Sequence, residues 1–274
     1  ILVHVPAMKA LPSSLRRPVT MLAAMLFGFS LWYAVAEIVQ QVRGVPFPTP
    51  HQCVLGLFDM LTGVPFLGHN LYEHLLGSCE RWLRGFSLAF SLGLFYAFTT
   101  RLSPLFKTVS MPTVEVLQLI PGLAWVPVVI LLFGLNSTAA VAIIFLTTFP
   151  IIAVSATMGF AGTDERYIRA GRMCGYSALG LFRTVYLPAA LPHLLSGTRI
   201  AMGSSWRVLV ASEMVIGSDS GLGYSIIQSR WTMDYVSAFV CIMVIAFIGL
   251  GMERLVLLPL ERRTIQRWGM SLER

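Results

Sequence analysis

Long apolar runs dominate the chain, and their lengths predict its elements. No charge stands between Val19 and Ala36, Gly85 and Thr100, Val116 and Thr163, or Tyr235 and Met252. A spanning helix needs about 20 predominantly apolar residues, so each run is a candidate crossing. The run from Val116 is too long for one crossing and suits two, with a turn at Gly134-Leu135-Asn136-Ser137, where turn formers cluster. Pro121 and Pro127 interrupt the first of this pair. Such prolines persist in a membrane where neighbours or a wet cavity satisfy the freed carbonyls. Arg84 and Arg101 bound the Gly85–Thr100 run, and their stems can snorkel outward from a short span. One more candidate, about 196–216, carries Arg207 and Glu213.

The polar intervals read differently. Pro18 suits the first turn of a helix over residues 19–39, where its missing N–H has no partner to lose. Ala34-Val35-Ala36 looks like a signal-peptidase site, but the apolar stretch is longer than a signal's core and more spans follow. Retention as a first transmembrane helix is expected. Residues 40–82 form an external segment. Val45-Pro46-Phe47-Pro48-Thr49-Pro50 is extended, and 51–63 and 69–81 are short amphipathic helices on the membrane face. The longest inside segment, about 162–195, is punctuated like two short helices. Thr163 is placed to cap the first, Asp164 and Glu165 suit its positive end, and Gly175 marks its stop. Ser177 caps a second helix that is expected to end before Leu187-Pro188.

Composition agrees with a membrane chain. Of 274 residues, 56% are hydrophobic and only 12% charged, about half the charged share of ordinary soluble domains. Mean hydropathy is +0.74. A soluble fold could not hide that apolar surface, and disorder requires the opposite balance. The net charge of +7 is informative by its placement. With six spans, the inside segments hold Lys9, Arg16, Arg17, Arg101, Lys107, Arg166, Arg169, Arg172, Arg183, Arg199, Arg254, Arg262, Arg263, Arg267 and Arg274. Outside stand only Arg43, Arg81, Arg84 and Arg230. Removing the span at 196–216 would put the basic C-terminus outside, against the positive-inside bias. The expected fold is therefore all-α and polytopic, with six transmembrane helices. Residues 1–18 and 259–274 are both cytoplasmic, and a core of five spans fills 83–258.

Catalytic chemistry is missing from the pattern. Cys53, Cys79, Cys174 and Cys241 lie far apart without a CxxC pair, and the histidines are scattered. Neither lysine follows glycine, so no phosphate-cradling Walker A loop exists. Gly221-Leu222-Gly223 lacks the third glycine of a dinucleotide fingerprint and reads as an external turn. No metal or cofactor is expected on this chain.

The spacing Gly175, nine residues, Val185-Tyr186-Leu187-Pro188 resembles the EAA loop of ABC importer permeases. The family pattern is EAA, three residues, G, nine residues, I, one residue, LP. Arg169-Ala170-Gly171 occupies the EAA slot, so Glu becomes Arg and the second Ala becomes Gly. Leu119-Ile120-Pro121-Gly122-Leu123-Ala124-Trp125-Val126-Pro127 resembles the proline-rich stretch of the nitrate, sulfonate, taurine and bicarbonate permeases. Phe133-Gly134-Leu135, Ala211-Ser212-Glu213-Met214, Gly221-Leu222-Gly223-Tyr224 and Leu260-Glu261-Arg262-Arg263 are similar to that subfamily as well, and the likeness covers residues 78–268.

The resemblance implies a type I importer permease in a bacterial inner membrane, paired with a second copy of itself. It also implies two ATPase subunits, carrying ATP and Mg, on the cytoplasmic side, and an external solute-binding protein. ATPase docking then falls to Arg166, Arg169, Ala170, Gly171, Cys174, Gly175, Leu187 and Pro188. Arg169 calls for an acidic or carbonyl partner on the ATPase, or else the loop docks through apolar and backbone contacts. The translocation path is assigned to Pro121, Trp125, Pro127, Arg207 and Glu213, for a small anionic solute. Arg207 and Glu213 are six residues apart, about 120° around a helix, so each is expected to have its own surroundings. The alternative is a secondary transporter or channel driven by an ion gradient. Broken helices and intramembrane charges suit that class, but it leaves the spacing of the cytoplasmic loop without an account.

Overall fold

In a computed structural model of the chain, residues 13–217 and 220–259 are described. Among them the chain is helical, with no strand beyond an isolated bridge between Phe66 and His69. Lys9 and the Leu260-Glu261-Arg262-Arg263 motif lie outside the described residues, as do most of both proposed cytoplasmic termini. Helix α1 (Ser13–Arg43) lies mostly exposed on the rest. Trp32 attaches it by donating from Nε1 to the Pro48 carbonyl at 3.1 Å and by stacking on Phe239. Helix α2 (Pro50–Leu61) is the expected short amphipathic helix. Its entry is fixed by the Thr49 N–H, which donates to Gln52 Oε1 at 3.0 Å.

Helix α3 (Leu71–Leu102) corrects one expectation: residues 69–81 do not form a separate surface helix. The amphipathic part and the Gly85–Thr100 run are one helix of 32 residues. The polar residues fit because they are satisfied. Arg84 pairs with Glu80 one turn back, and Leu71, His74, Ser78, Arg81, Trp82, Gly85 and Ala89 all lie on the buried face.

Helix α4 (Pro104–Leu119) ends at Ile120-Pro121. A 3₁₀ turn (Gly122–Trp125) and helix α5 (Val126–Phe133) follow, and the chain bends by 101°. The expected third crossing is thus bent in its middle, as a broken span or a re-entrant pair. Gly134, with φ +77°, closes α5, and Asn136 caps helix α6 (Ser137–Ala161) by accepting from the Ala139 N–H at 3.1 Å. The predicted turn is present.

Helix α6 is the hub, packed against α3 and against α9 (Leu187–Ile216). Close approach to α3 depends on glycine. A Cβ at Gly85 or Gly93 would stand 2.7 Å from Ile144 or 2.8 Å from Ile152, which is the small-residue packing typical of membrane helices. Helices α7 (Glu165–Met173) and α8 (Ala178–Leu181) form the hairpin between α6 and α9. Helix α10 (Leu222–Thr232) precedes α11 (Tyr235–Gly251), which continues as a π turn over Met252–Leu257.

Four helical stretches are long and apolar enough to cross a membrane: Val19–Arg43, Ser137–Ala161, Ala178–Ile216 and Tyr235–Leu257. The bent pair α4–α5 makes a fifth if it counts as one span.

Candidate functional site

The hairpin is built by its caps. Asp164 Oδ1 accepts from the Arg166 N–H at 2.8 Å, while Oδ2 takes the Arg166 guanidinium. Asp164, not Thr163, is therefore the cap. The Thr163 side chain is buried instead, its hydroxyl unpartnered among the described residues. At the other end Gly175 has φ +79°. The Tyr176 N–H bonds to the Gly171 carbonyl at 3.1 Å and the Gly175 N–H to that of Arg172 at 3.0 Å. This is a Schellman ending, which glycine enters without a Cβ penalty. Ser177 caps α8 as expected, accepting from the Gly180 N–H at 3.2 Å.

The second hairpin helix does not stop at Leu187-Pro188. A π turn (Phe182–Tyr186) carries α8 directly into α9, so Ala178–Ile216 is continuous. The wider turn accommodates Pro188, which has no N–H to give to the preceding turn. Leu187 and Pro188 are half-buried at this junction. The hairpin is tied to the bundle by Phe160, which meets both Phe182 and Tyr186, by Phe98 on Phe182, and by the Arg101 guanidinium over the Tyr186 ring.

Both departures from the EAA pattern have local causes. A Cβ at Gly171 would come within 2.6 Å of Leu181 Cδ2, so glycine lets α7 lie close on α8. Arg169 pairs with Glu165 across one helical turn at 2.6 Å, and both side chains are about three-quarters exposed. The neighbouring guanidiniums hold the Asp164 and Glu165 carboxyls below the usual carboxylate range, chiefly through side-chain hydrogen bonds from Arg166 and Arg169. Between α7 and the following helix lies a mainly apolar groove of about 430 Å³, lined by Tyr167, Ala170, Gly171, Cys174, Tyr176, Thr184, Val185, Pro188 and Ala189. Arg166, Cys174 and Gly175 are exposed beside or along it.

At the opposite end a buried polar cluster joins α3, α9 and α10. Glu213, 1% exposed, receives Arg81 Nε at 3.0 Å and Arg81 NH2 at 2.8 Å. It also accepts from Ser78 Oγ at 2.9 Å and the Gly223 N–H at 3.0 Å. Ser78 Oγ in turn accepts from the Leu222 N–H at 2.9 Å. His74 Nδ1 accepts from the Gly221 N–H at 3.1 Å, so its Nε2–H donates to the Phe66 carbonyl at 3.2 Å. Gly221-Leu222-Gly223 is thus the pinned start of α10 and not a free external turn. A Cβ at Gly223 would lie 2.2 Å from the Val210 carbonyl. Glu213 is enclosed, and both of its carboxylate oxygens are met by donors.

Arg207 stands apart from this cluster. It is exposed on α9 and has no hydrogen-bond or ion-pair partner among the described residues. Pro121 and Pro127 are exposed at the break between α4 and α5. Trp125 packs on the Val126, Val129, Ile143 and Ile216 cluster. Gly122 is buried there, where a Cβ would meet Thr147 Oγ1 at 2.3 Å. The structure thus separates the path candidates into a broken helix and one unpaired arginine. It adds Ser78, His74 and Arg81, which are buried although they belong to the segment expected on the external surface.

Long apolar helices, a bent helix pair and a capped helical hairpin running into the next long helix define a polytopic membrane protein. Residues 89–264 match the family described as the binding-protein-dependent transport system inner membrane component. The taurine transport system permease protein TauC of Escherichia coli (strain K12) is 30% identical over 234 residues, 85% of this chain and 84% of TauC. The putative aliphatic sulfonates transport permease protein SsuC of Bacillus subtilis (strain 168) is 31% identical over 244 residues, 89% of this chain and 85% of SsuC. The bicarbonate transport system permease protein CmpB of Synechococcus elongatus is 30% identical over 203 residues, 74% of this chain and 70% of CmpB. The chain belongs to this family of ABC importer permease subunits.

Proposed function

We propose that two copies of this permease form the path for a small anionic solute handed over by an external binding protein, and that ATPase subunits dock on the α7–α8 hairpin. The groove beside that hairpin carries the proposal. It is apolar, accessible, and mechanically continuous with α9, so a push on the hairpin acts on a spanning helix without an intervening loop. Arg166, Arg169, Ala170, Gly171, Cys174, Gly175, Leu187 and Pro188 make up the docking surface. The exposed Glu165–Arg169 pair can be exchanged for a partner's carboxylate at little cost, because solvent screens exposed pairs strongly.

ATP and Mg are held by the partner, since this chain has no Walker A loop. In this reading α3 supplies the sixth span and both termini are cytoplasmic. Pro121, Trp125, Pro127 and Arg207 face the path. An anionic solute fits Arg207, and it fits relatives named for taurine, sulfonates and bicarbonate.

Cys174 provides the test. It is exposed, whereas Cys53 and Cys241 are buried and Cys79 half-buried. Maleimide labelling of Cys174 in membranes should fall when the ATPase is present. In Gly175→Val, where a β-branched residue must take φ +79°, the protection should be lost. Equal labelling of the wild type with and without ATPase would contradict docking at this groove.

A further inference from the structure

His74 of α3 ties a loop and a second helix to its own from inside the protein. Its side chain is fully buried, and both ring nitrogens are in use. Nδ1 accepts from the Gly221 N–H at 3.1 Å, which holds the start of α10. Nε2 donates to the Phe66 carbonyl at 3.2 Å, which holds the tight turn Phe66–His69. Paired backbone bonds of 2.8 and 3.1 Å close that turn, and it keeps Leu67 at φ +54°, a left-handed conformation that side chains disfavour. The two contacts require one donor and one acceptor on the ring, which only neutral imidazole supplies. A second proton, on Nδ1, sets N–H against N–H and leaves the Gly221 amide buried without an acceptor.

The charges around the ring offer that proton no compensation. His69, in the turn, places its ring 5.6 Å from that of His74 and pairs with Glu73 at 2.7 Å. Arg81 stands two turns further along α3 and is held by Glu213 of α9 at 2.8 Å. The start of α10 presents backbone N–H groups and Tyr224, and Arg230 lies in its last turn. Each carboxylate near His74 is thus already engaged by another cation or cation-forming group. The His69 side chain, 41% exposed, gives the site a short route to solvent.

We propose that His74 is an acid-sensitive latch, whose protonation releases the start of α10 and the Phe66–His69 turn together while the packing of α3, α6 and α9 stays closed. The closed latch takes no proton at His74, whereas the released ring titrates as an ordinary imidazole at about 6.5. Opening therefore captures one proton. The latch is at full strength above that range and weakens by up to about tenfold per pH unit below it. Helix α10 packs on α9, the helix continuous with the docking hairpin, so the latch is in position to make transport depend on pH. That effect rests on the function proposed above, but the proton dependence of the latch does not.

The test is backbone hydrogen exchange of the full chain in nanodiscs, corrected for the intrinsic rate, from about pH 7.5 to about pH 5. Opening of peptides over 221–226 should rise about 30-fold across that range, while protection of α6 stays unchanged. His74→Asn puts an amide oxygen near the place of Nδ1 and cannot titrate, so the rise should vanish. His69→Gln removes the neighbouring imidazole but keeps the latch, and it should retain the rise. If His74→Asn does not fold, the wild type and His69→Gln decide alone. The latch is overturned by a pH-independent 221–226, by a rise that survives in His74→Asn or is abolished in His69→Gln, or by loss of protection in α6 in step with α10. A working latch in a transporter whose uptake ignores pH would defeat its role in transport and leave the latch standing.

Discussion

Glu213→Ala is the most informative single change at the buried cluster. Glu213 receives two donors from Arg81, one from Ser78 and one from the Gly223 backbone, all at 2.8–3.0 Å. The variant leaves Arg81, itself 6% exposed, without its carboxylate. Breaking a buried pair by removing one partner costs about 3–5 kcal/mol. At about 2–4 °C per kcal/mol for chains somewhat smaller than this one, the midpoint should fall by roughly 6–20 °C. Glu213→Gln should also destabilise, because every contact of the carboxylate is a donor and the amide NH2 must face one of them. The exposed Arg84–Glu80 pair, about 60% exposed on each side, is the internal control, and Arg84→Ala should cost at most about 1 kcal/mol. Thermal unfolding of detergent-purified protein compares the variants. A double-mutant cycle with Arg81→Met should show coupling of about 0.5–3 kcal/mol between the two positions. If Glu213→Ala shifts the midpoint no more than Arg84→Ala, the cluster does not pin α10 to α3 and α9.

At the hairpin, Gly171→Ala should destabilise by about 1–3 kcal/mol through overpacking against Leu181, and Leu181→Ala should restore part of it. Thermal melts of the three variants check this, and additive losses would contradict the contact. The Asp164 carboxyl is held low by Arg166. Its capping contribution is therefore present above the ordinary aspartate range and is lost as pH falls through the lowered value. Rate-corrected exchange protection across 165–173 should drop in acid for the wild type and much less for Asp164→Asn, and identical pH profiles would refute the cap. Cysteines placed at 121–128 should react with aqueous reagents to an extent that changes through the ATP cycle. Uniform protection would make the broken helix a packing feature only.

Four of the apolar spans, the turn before α6 and the caps at Ser177 and Gly175 were legible because each rests on local chemistry: uncharged length, turn formers, a helix-ending glycine. The failures share a different cause. Arg81 and Ser78 sat in a segment too polar for a span, and the burial of their charge and hydroxyl depends on Glu213 and α10, far away in sequence. A trace existed in the positions themselves, since His74, Ser78, Arg81 and Gly85 follow the 3–4 spacing of one helix face. Leu187-Pro188 looked like a stop because proline breaks an α-helix. The π turn that absorbs it has no sequence signature of its own. Two stretches quoted for the family resemblance, Ala211–Met214 and Gly221–Tyr224, meet in space through Glu213 and Gly223, so part of the motif spacing records this buried cluster.

The central claim is that this permease works by ATP hydrolysis on a partner docked at the α7–α8 hairpin. Its most direct measurement is solute uptake into proteoliposomes holding the permease, its ATPase and its binding protein. Uptake should require internal-facing ATP, persist when ionophores collapse every ion gradient, and vanish in Gly175→Val with the complex still in the membrane. Uptake without ATP that follows an imposed ion gradient would contradict the account.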